Sequence, residues 1–294
     1  MSAQEKHLTV KHLPGILVRY EPVPAIVPAP VVFDSPHSGY AYPEDFDHVV
    51  PRDMLRRAED AFVDDLYEAA PGSGAGFLKA LFPRAYIDPN RHEDEIDSGM
   101  LEGPWPRPIR ASEKAEMGLG LVRRLIKGRV EIYDRPLRVD EVMARIDSYH
   151  RPYHAELETM LDERLARFGA VWHVNCHSMR TTGRHQGKSI PRDDFVLGDR
   201  EGASCDPAFT EFVAARLRAL GYSVQLNHPF KGAELIERFG RPLAGRHSLQ
   251  IEVNRGLYMD EDRIEKHQGF GGLKADIERL IADICAFALG QVKG

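Results

Sequence analysis

The sequence predicts an α/β fold in which helices are layered on a largely parallel central sheet. Short apolar runs rich in β-branched residues alternate along the chain with longer segments of helical periodicity, which is the pattern of β-α-β units. Clusters of polar residues follow directly after several of the predicted strands. Ligands bind beyond the carboxyl ends of the strands in such sheets, so a functional site is expected at this edge.

The first third of the chain contains two predicted strands and one helix. A proline-rich stretch leads into a buried strand at Val31–Ser35, and residues 1 to 30 are expected to form an arm or an edge hairpin. Apolar positions at helical spacing indicate a helix over residues 58 to 70, with Asp60 in its first turn. A second strand is predicted at residues 84 to 88.

The remaining elements continue the alternation of helices and strands. A long helical pattern covers residues 139 to 167, and Pro152 within it predicts a helix pair or a kinked helix. The clearest buried strand covers residues 169 to 176 and places His177 just beyond its end. Further strands are predicted at residues 194–197, 222–226 and 248–253, and helices at about 207–219 and 270–289.

Composition narrows the classes of function. The formal net charge is -6, so the chain lacks the excess of basic residues that neutralises phosphates in nucleic-acid-binding proteins. Three widely spaced cysteines without a CxxC pattern argue against a disulfide framework and against a thiolate zinc site, so a reducing cytoplasm is expected. We expect neither secretion nor membrane insertion, because no basic leader and no apolar stretch of about 20 residues is present. No linker divides the chain, so one domain spanning residues 1 to 294 is predicted.

Four residues at the expected edge of the sheet form a candidate metal site. A hydrolytic zinc site needs about three nitrogen or oxygen ligands, an open position for water, and a carboxylate that handles protons. His37 and His177 follow two different strands, Asp60 opens a helix, and Glu252 lies within an apolar strand. A glutamate in apolar surroundings is costly unless it is paired or functional.

Each candidate also has a structural interpretation. Either histidine alone is more often a turn residue than a ligand, and Asp60 is an ordinary residue for a helix start. Glu252 could form a buried ion pair with Arg241 or Arg255. A cysteine nucleophile at Cys176 is disfavoured because period-two alternation places its side chain on the face opposite to that of His177.

Several short motifs occur in a fixed order from about residue 30 to residue 260. They are Pro36-His37-Ser38-Gly39, Asp88-Pro89-Asn90-Arg91, Cys176-His177-Ser178-Met179-Arg180, Leu197-Gly198 with Gly202 to Pro207, Asn227-His228-Pro229-Phe230-Lys231-Gly232, and the run from Phe239 to Glu252. As a set they resemble the N-formylglutamate amidohydrolase (deformylase) family, which is itself similar to the zinc carboxypeptidase and aspartoacylase group. The resemblance implies a three-layer α/β/α fold with a central mixed sheet.

The resemblance also implies an activity and a set of metal ligands. The expected reaction is metal-dependent hydrolysis of N-formyl-L-glutamate to formate and L-glutamate, a step of histidine degradation. One divalent metal, zinc as first choice, would be held by His37, Asp60 and His177, with Glu252 as the proton-handling base. The wider group has His-x-x-Glu at the first ligands, which this chain lacks, so Asp60 is chosen as the acidic ligand and Asp64 is held in reserve.

Four further residues are implied as contacts to an acidic substrate. The Asn90-Arg91 pair resembles the Asn-Arg that binds a substrate carboxylate in the wider group, and the planar fork of arginine suits such binding. Arg180 and Lys231 are cations on matching motifs. The structural alternative for Arg91 is an ion pair with Glu93 or Asp94. A deacylase of another N-acyl amino acid and a binding protein without catalysis are the alternative functions.

Overall fold

A central mixed sheet organises the protein in a computed structural model that describes residues 9–126, 130–185 and 188–292. Within these residues the sheet has eight strands. In chain order they are β1 (Thr9–Leu13), β2 (Leu17–Glu21), β3 (Val31–Ser35), β4 (Gly76–Ala80), β5 (Val171–Met179), β6 (Phe195–Gly198), β7 (Val224–Leu226) and β8 (Arg246–Asn254).

The order of the strands across the sheet is β1-β2-β4-β3-β5-β8-β6-β7. The four pairs β3/β4, β3/β5, β5/β8 and β6/β7 are parallel, and the pairs β1/β2, β2/β4 and β6/β8 are antiparallel. The central strands β3, β5 and β8 are parallel to one another, so their carboxyl ends meet at one edge. The hairpin of β1 and β2 closes one side of the sheet, as expected for an edge hairpin before residue 30.

Eight α-helices are described in the same residues, and most of them flank the sheet. In chain order they are α1 (Arg52–Arg56), α2 (Val63–Tyr67), α3 (Glu113–Glu116), α4 (Val139–Arg145), α5 (Arg151–Phe168), α6 (Pro207–Ala219), α7 (Glu234–Phe239) and α8 (Phe270–Gln291). Short 3-10 turns lie at Ala70–Ser73, Ser98–Met100, Pro242–Ala244 and Arg255–Leu257. Small two-stranded ribbons pair Leu101–Glu102 with Leu137–Arg138, Leu125–Ile126 with Val130–Glu131, Thr182–His185 with Lys188–Pro191, and Met259–Asp260 with Glu265–Lys266.

Two apolar cores lie on opposite faces of the sheet and make the fold a three-layer α/β/α structure. Side chains alternate between the faces along each strand, so Val31 and Phe33 enter one core while Val32 enters the other. The first core holds apolar residues of α2, α6 and α8, and the second holds those of α4, α5 and α7. The predicted fold class is confirmed.

Two local predictions in the first third of the chain are wrong. Residues 84 to 88 form a turn and an irregular segment, and the strand next to β3 is instead Gly76–Ala80, directly after a 3-10 turn. The helix expected over residues 58 to 70 is shortened to Val63–Tyr67. Phe62 caps it with a positive φ of 66°, so Asp60 lies in the loop before the helix instead of in its first turn.

Two later elements extend further than the sequence predicts. Strand β5 continues to Met179, so His177 lies inside the strand near its carboxyl end. The long helical region runs through α4, a π-helical segment at Ile146–His150 and α5 without a break. Pro152 is the second residue of α5 and has no N–H to give to a helical hydrogen bond. The π-helical turn accommodates that loss, because the Arg151 N–H bonds to the Ile146 carbonyl.

No helix in the described ranges is both long enough and apolar enough to cross a lipid bilayer.

Candidate metal and substrate site

Three buried side chains converge at the carboxyl ends of β3 and β5. His37 follows β3, Asp60 lies in the loop before α2, and His177 is the seventh residue of β5. Nδ1 of His37 is 3.3 Å from Oδ2 of Asp60, and Nδ1 of His177 is 3.0 Å from the same oxygen. The ligand atoms of all three residues lie within 4.8 Å of one another, which is the spacing of a site that could hold a metal ion.

The outer nitrogen of each imidazole is held by an oxygen acceptor. His37 donates from Nε2 to Oδ1 of Asp88 at 2.6 Å, and His177 donates from Nε2 to Oδ1 of Asn175 at 2.6 Å. With Nε2 engaged in this way, Nδ1 of each ring is the atom that faces Asp60 and could bind a metal beside it. Metal-binding histidines are oriented in this way by acceptors on their second nitrogen, so the donor set fits a divalent metal.

Asp60 is held in its ionised form. Burial by itself would raise the pKa of Asp60, but hydrogen bonds with His177 and His37 outweigh burial and hold the pKa well below its usual range. Oδ1 of Asp60 accepts a hydrogen bond from Arg255 at 2.9 Å, which leaves Oδ2 facing the histidines. A carboxylate with one fixed oxygen and one free oxygen is suited to monodentate metal binding.

Glu252 lies beside this cluster on the next strand. The parallel pairing of β8 with β5 places Glu252 directly opposite His177, so the two side chains share one face. Burial raises the pKa of Glu252 to about 7; the charge of His177 opposes this shift and that of Asp60 adds to it. Among the described residues Glu252 forms no ion pair with Arg241 or Arg255; it accepts a hydrogen bond from Gln250 at 3.0 Å.

A row of buried polar groups supports the site from beneath. On β5, His173 and Asn175 alternate with apolar residues and point to the same face as His177. Asp34 accepts hydrogen bonds from Nε2 of His173 at 2.8 Å, from Asn175 at 2.7 Å and from the Tyr153 hydroxyl at 2.7 Å. Because the Asn175 amide nitrogen is engaged by Asp34, its oxygen must face His177. The row thus fixes the orientation of the histidine ring.

The cluster and Glu252 line a cavity of about 510 Å³. This volume is in the range of small-molecule sites. Its lining is rich in cations, which come from widely separated parts of the chain and line the same cavity as the four residues of the candidate metal centre. The cationic lining residues are Arg57, Arg84, Arg91, Arg110, Lys114, Arg123, Arg180, Arg192, Lys231 and Arg255.

The four residues predicted to contact substrate all line this cavity. Asn90 is buried; its Nδ2 lies 3.0 Å from Nε2 of His177, and its Oδ1 accepts a hydrogen bond from the Leu235 N–H. Nε of Arg91 lies 3.6 Å from Glu95, and not against Glu93 or Asp94 as the alternative interpretation required. Arg180 is paired with Glu261 at 3.3 Å, and Lys231 is exposed.

Other residues weighed from the sequence lie outside the cluster. Asp64 pairs with Lys79 at 3.0 Å and is not among the converging ligand atoms. Cys176 points into the apolar core opposite to His177, as its position in the strand predicts, and burial raises the pKa of its thiol well above the ordinary value. A buried neutral thiol on the wrong face is not a nucleophile for this cavity.

Sequence reasoning missed Asp34, Asp88 and Asn175 as supports of the site. For the strand residues a signal was present, because polar residues alternate with apolar ones in Trp172–Cys176 and again in β8. Such alternation in a strand buried on both faces indicates a buried polar row. Asp88 had no signal of that kind, since its loop is irregular and its contact with His37 spans 51 residues of sequence.

Comparisons with known proteins agree with this geometry. The model of the family described as N-formylglutamate amidohydrolase matches residues 29–259. N-formylglutamate deformylase of Pseudomonas putida is 30% identical over 238 residues, 79% of this chain and 82% of that protein. Its counterpart from Pseudomonas aeruginosa is 31% identical over 242 residues, 79% of this chain and 83% of that protein.

A solved structure shows the same fold at higher identity. The crystal structure of N-formylglutamate amidohydrolase from Ralstonia eutropha JMP134 is 44% identical and superimposes with a TM-score of 0.90. The match covers 95% of this chain and 100% of that one. Together with the match of the family model over most of the chain, these similarities show that the chain belongs to the N-formylglutamate amidohydrolase family.

Proposed function

We propose that this protein hydrolyses the amide bond of N-formyl-L-glutamate, releasing formate and L-glutamate. The observation that carries the proposal is the buried His37, Asp60 and His177 cluster beside Glu252 in a cationic cavity. The relatives from both Pseudomonas species are named for this deformylation. All three cysteines are buried free thiols, in keeping with the reducing cytoplasm that we propose as the compartment.

His37, Asp60 and His177 are the residues that would hold one divalent metal. Two imidazole nitrogens and one carboxylate oxygen form a borderline ligand set, for which zinc is our first choice. The chemistry that such a metal supplies when bound is polarisation of the formyl oxygen and acidification of the attacking water. Asp88 and Asn175 keep both rings in the tautomer with Nδ1 free for binding.

Glu252 handles the proton in the proposed reaction. Its pKa near 7 allows it to accept a proton and to return one close to neutral pH. The carboxylate takes a proton from the attacking water while the hydroxyl adds to the formyl carbon. When the C–N bond breaks, the proton passes to the leaving nitrogen. One water is consumed, and formate and glutamate leave.

The cationic lining explains the choice of an acidic substrate. N-formylglutamate carries two carboxylates, and the proposed contacts Asn90, Arg91, Arg180 and Lys231 lie around the same cavity as Glu252. Charge-assisted hydrogen bonds from arginine hold a carboxylate in a fixed orientation. The same lining is unfavourable for a basic amino acid, whose charge it repels, and it offers no charged partner that a neutral amino acid can use.

A substrate panel tests the proposal. The purified protein, loaded with zinc, is given N-formyl-L-glutamate, N-formyl-L-aspartate, N-acetyl-L-glutamate, N-formyl-L-leucine and N-formyl-L-lysine, and the released acid is measured. We expect kcat/KM for N-formyl-L-glutamate to exceed that for the leucine and lysine compounds by at least about 100-fold, since a site built around polar partners rejects substrates that lack them.

Three outcomes of the panel would contradict the proposal. Hydrolysis of only the leucine or lysine compound would refute the acidic pocket. Release of no acid from any compound, by protein whose zinc content is verified, would favour a binding protein instead of an enzyme. Preference for the acetyl compound would move the assignment to a deacylase of another N-acyl amino acid.

A further inference from the structure

Among the described residues, none accepts a hydrogen bond from the side chain of Arg123, a largely buried cation at the wall of the cavity. Its side chain is 13% exposed, and its Nε is buried with no acceptor. The nearest carboxylate is Asp88, whose Oδ2 is 3.8 Å from Nη2 of Arg123, too far for a hydrogen bond. A largely buried guanidinium without a hydrogen-bond acceptor is costly, so this position favours the binding of an anion that accepts from it directly.

Asp88 cannot serve as that anion, because both of its oxygens are already engaged. Oδ2 accepts two hydrogen bonds from Arg84, at 2.7 and 3.1 Å. Oδ1 accepts from His37 at 2.6 Å and from the Asn90 N–H at 2.9 Å. One carboxylate therefore neutralises Arg84 and orients His37, and no capacity is left for Arg123.

Lys114 adds a second cation to the same wall. Within the described part of the chain its ammonium has no ion pair, although it lines the cavity together with Arg91 and Arg123. Burial lowers the pKa of Lys114, and the charges of Arg91 and Arg123 lower it further. Burial and the charge of Arg84 lower the pKa of Arg123 to about 9, so it remains a cation at neutral pH.

The backbone holds this wall next to the metal cluster. The Asp88 N–H donates to the Leu121 carbonyl at 2.7 Å, and the Leu121 N–H donates to the Glu95 carbonyl at 2.7 Å. A bridge between Leu119 and Arg123 closes the segment into a tight loop. The loop that carries Arg123 is thus tied by backbone hydrogen bonds to the loop that carries Asn90 and Arg91.

We propose that Arg123 and Lys114, together with Arg91, form a subsite that binds one carboxylate of the substrate. This inference rests on the proposed function. The second carboxylate is then bound by Arg180 and Lys231, two further cations of the cavity. Arg123 is the specificity-determining residue of the subsite, because it is the member that is both buried and without a partner.

The test combines variants of the protein with variants of the substrate. Arg123→Gln and Lys114→Gln are compared with wild type on N-formyl-L-glutamate, on N-formyl-L-glutamine, which lacks the side-chain carboxylate, and on N-formyl-L-glutamic acid α-amide, which lacks the other. Arg124→Gln is the matched control, since Arg124 is the next residue but pairs with Asp97 outside the cavity. Zinc content and melting temperature are measured for every variant.

We expect Arg123→Gln to lower kcat/KM for N-formyl-L-glutamate by between about 10-fold and 100-fold, with zinc content unchanged. For one of the two amides the same substitution should lower kcat/KM by less than about 3-fold, because that substrate already lacks the carboxylate that Arg123 would bind. Lys114→Gln should show the same pattern with a smaller amplitude. An equal loss on all three substrates, or no loss on any, would overturn the subsite.

A binding measurement separates this inference from the proposed function. Glutarate, a dicarboxylate that cannot be hydrolysed, should raise the melting temperature of wild type and of Arg124→Gln, but not that of Arg123→Gln. If wild type hydrolyses no formyl compound, the proposed function fails and the glutarate measurement still decides the subsite. If Arg123→Gln does not fold, Lys114→Gln and Arg123→Lys decide it, and glutarate stabilisation undiminished in Lys114→Gln would count against the subsite.

Discussion

Glu252 combines two properties that a general base needs, a pKa near neutrality and a fixed position. Its pKa of about 7 results first from burial, which disfavours the charged carboxylate. Its position results from strand pairing, since the register of β8 on β5 places it opposite His177. The arginines that could have neutralised it are used elsewhere, because Arg255 pairs with Asp60.

Glu252→Gln should therefore remove catalysis while leaving binding intact. The amide keeps the size of the side chain and can still accept from Gln250, but it cannot take a proton. We expect kcat to fall by at least about 100-fold, with KM and metal content close to wild type, as steady-state kinetics and metal analysis would show.

The exposed Glu278 of α8 supplies the control for this substitution. Glu278→Gln removes the same charge far from the cavity and should leave kcat unchanged. Retention of more than about a tenth of the wild-type kcat by Glu252→Gln would assign the proton transfer to another group.

At the scale of single elements, the helical region Val139 to Phe168 stabilises the loop that carries Asn90 and Arg91. His150 donates from Nε2 to the Arg91 carbonyl at 2.9 Å, and His154 donates to the Pro89 carbonyl at 2.7 Å. The two rings stack with centroids 4.1 Å apart, and both Nδ1 atoms are buried without partners. The i,i+4 histidine pair is thus a pair of loop anchors in neutral form.

This pair predicts a loss of stability on mild acidification. Burial lowers the pKa of His150 to about 4, whereas the unfolded histidine titrates at about 6.5. The unfolded state therefore binds more protons than the folded state between these pH values. The contribution of His150 to the unfolding free energy is fully present above pH 6.5 and is lost as the pH falls towards 4. The pKa shift of His150 corresponds to up to about 3 kcal/mol of unfolding free energy. His150→Gln should flatten the dependence of unfolding free energy on pH in this window, measured by denaturant unfolding.

His267→Gln is the control for the pH series, because His267 is exposed and its substitution should leave the slope unchanged. Parallel curves for wild type and His150→Gln between pH 6.5 and 4 would show that acid sensitivity resides in other groups.

At the scale of the whole molecule, the candidate metal site joins segments that are far apart in the chain. His37 and Asp60 are 23 residues apart, and Asp60 and His177 are 117 apart. The central sheet likewise contains strands from residue 9 to residue 254, so we propose that the chain unfolds as one domain. A ligand that binds only the folded state stabilises it by mass action.

Zinc should accordingly raise the melting temperature in a single transition, and a chelator should lower it. At a free concentration of 100 times Kd the gain is about 2.7 kcal/mol. Asp60→Asn should abolish most of this gain and of the bound zinc, as calorimetry and metal analysis would report. Asp64→Asn is the matched control, since Asp64 pairs with Lys79 and should leave zinc binding intact.

The reverse result, full zinc binding by Asp60→Asn and loss by Asp64→Asn, would move the acidic ligand to Asp64. Full binding by both variants, together with full binding by His37→Ala and His177→Ala, would place the metal elsewhere.

The sequence by itself determined the elements with strong local patterns. Strand Val31–Ser35 and helix Pro207–Ala219 lie where periodicity predicts them, and the alternation along β5 places Cys176 and His177 on opposite faces. These features depend on neighbours in sequence, because side-chain periods of 2.0 and 3.6 residues are local properties of the backbone. The placement of His37 and His177 near the carboxyl ends of two strands followed from the same patterns.

Only the tertiary structure decided how the cavity is built. Asp60 lies in an irregular loop, Asp88 follows a turn that was predicted as a strand, and Arg123 comes from a tight loop without a recognisable pattern. Their roles depend on contacts across dozens of residues, for which a linear sequence carries no periodic signal. Whether a buried charge is neutralised or left for a ligand depends on which partners packing brings within hydrogen-bond distance, and packing is a property of the whole fold.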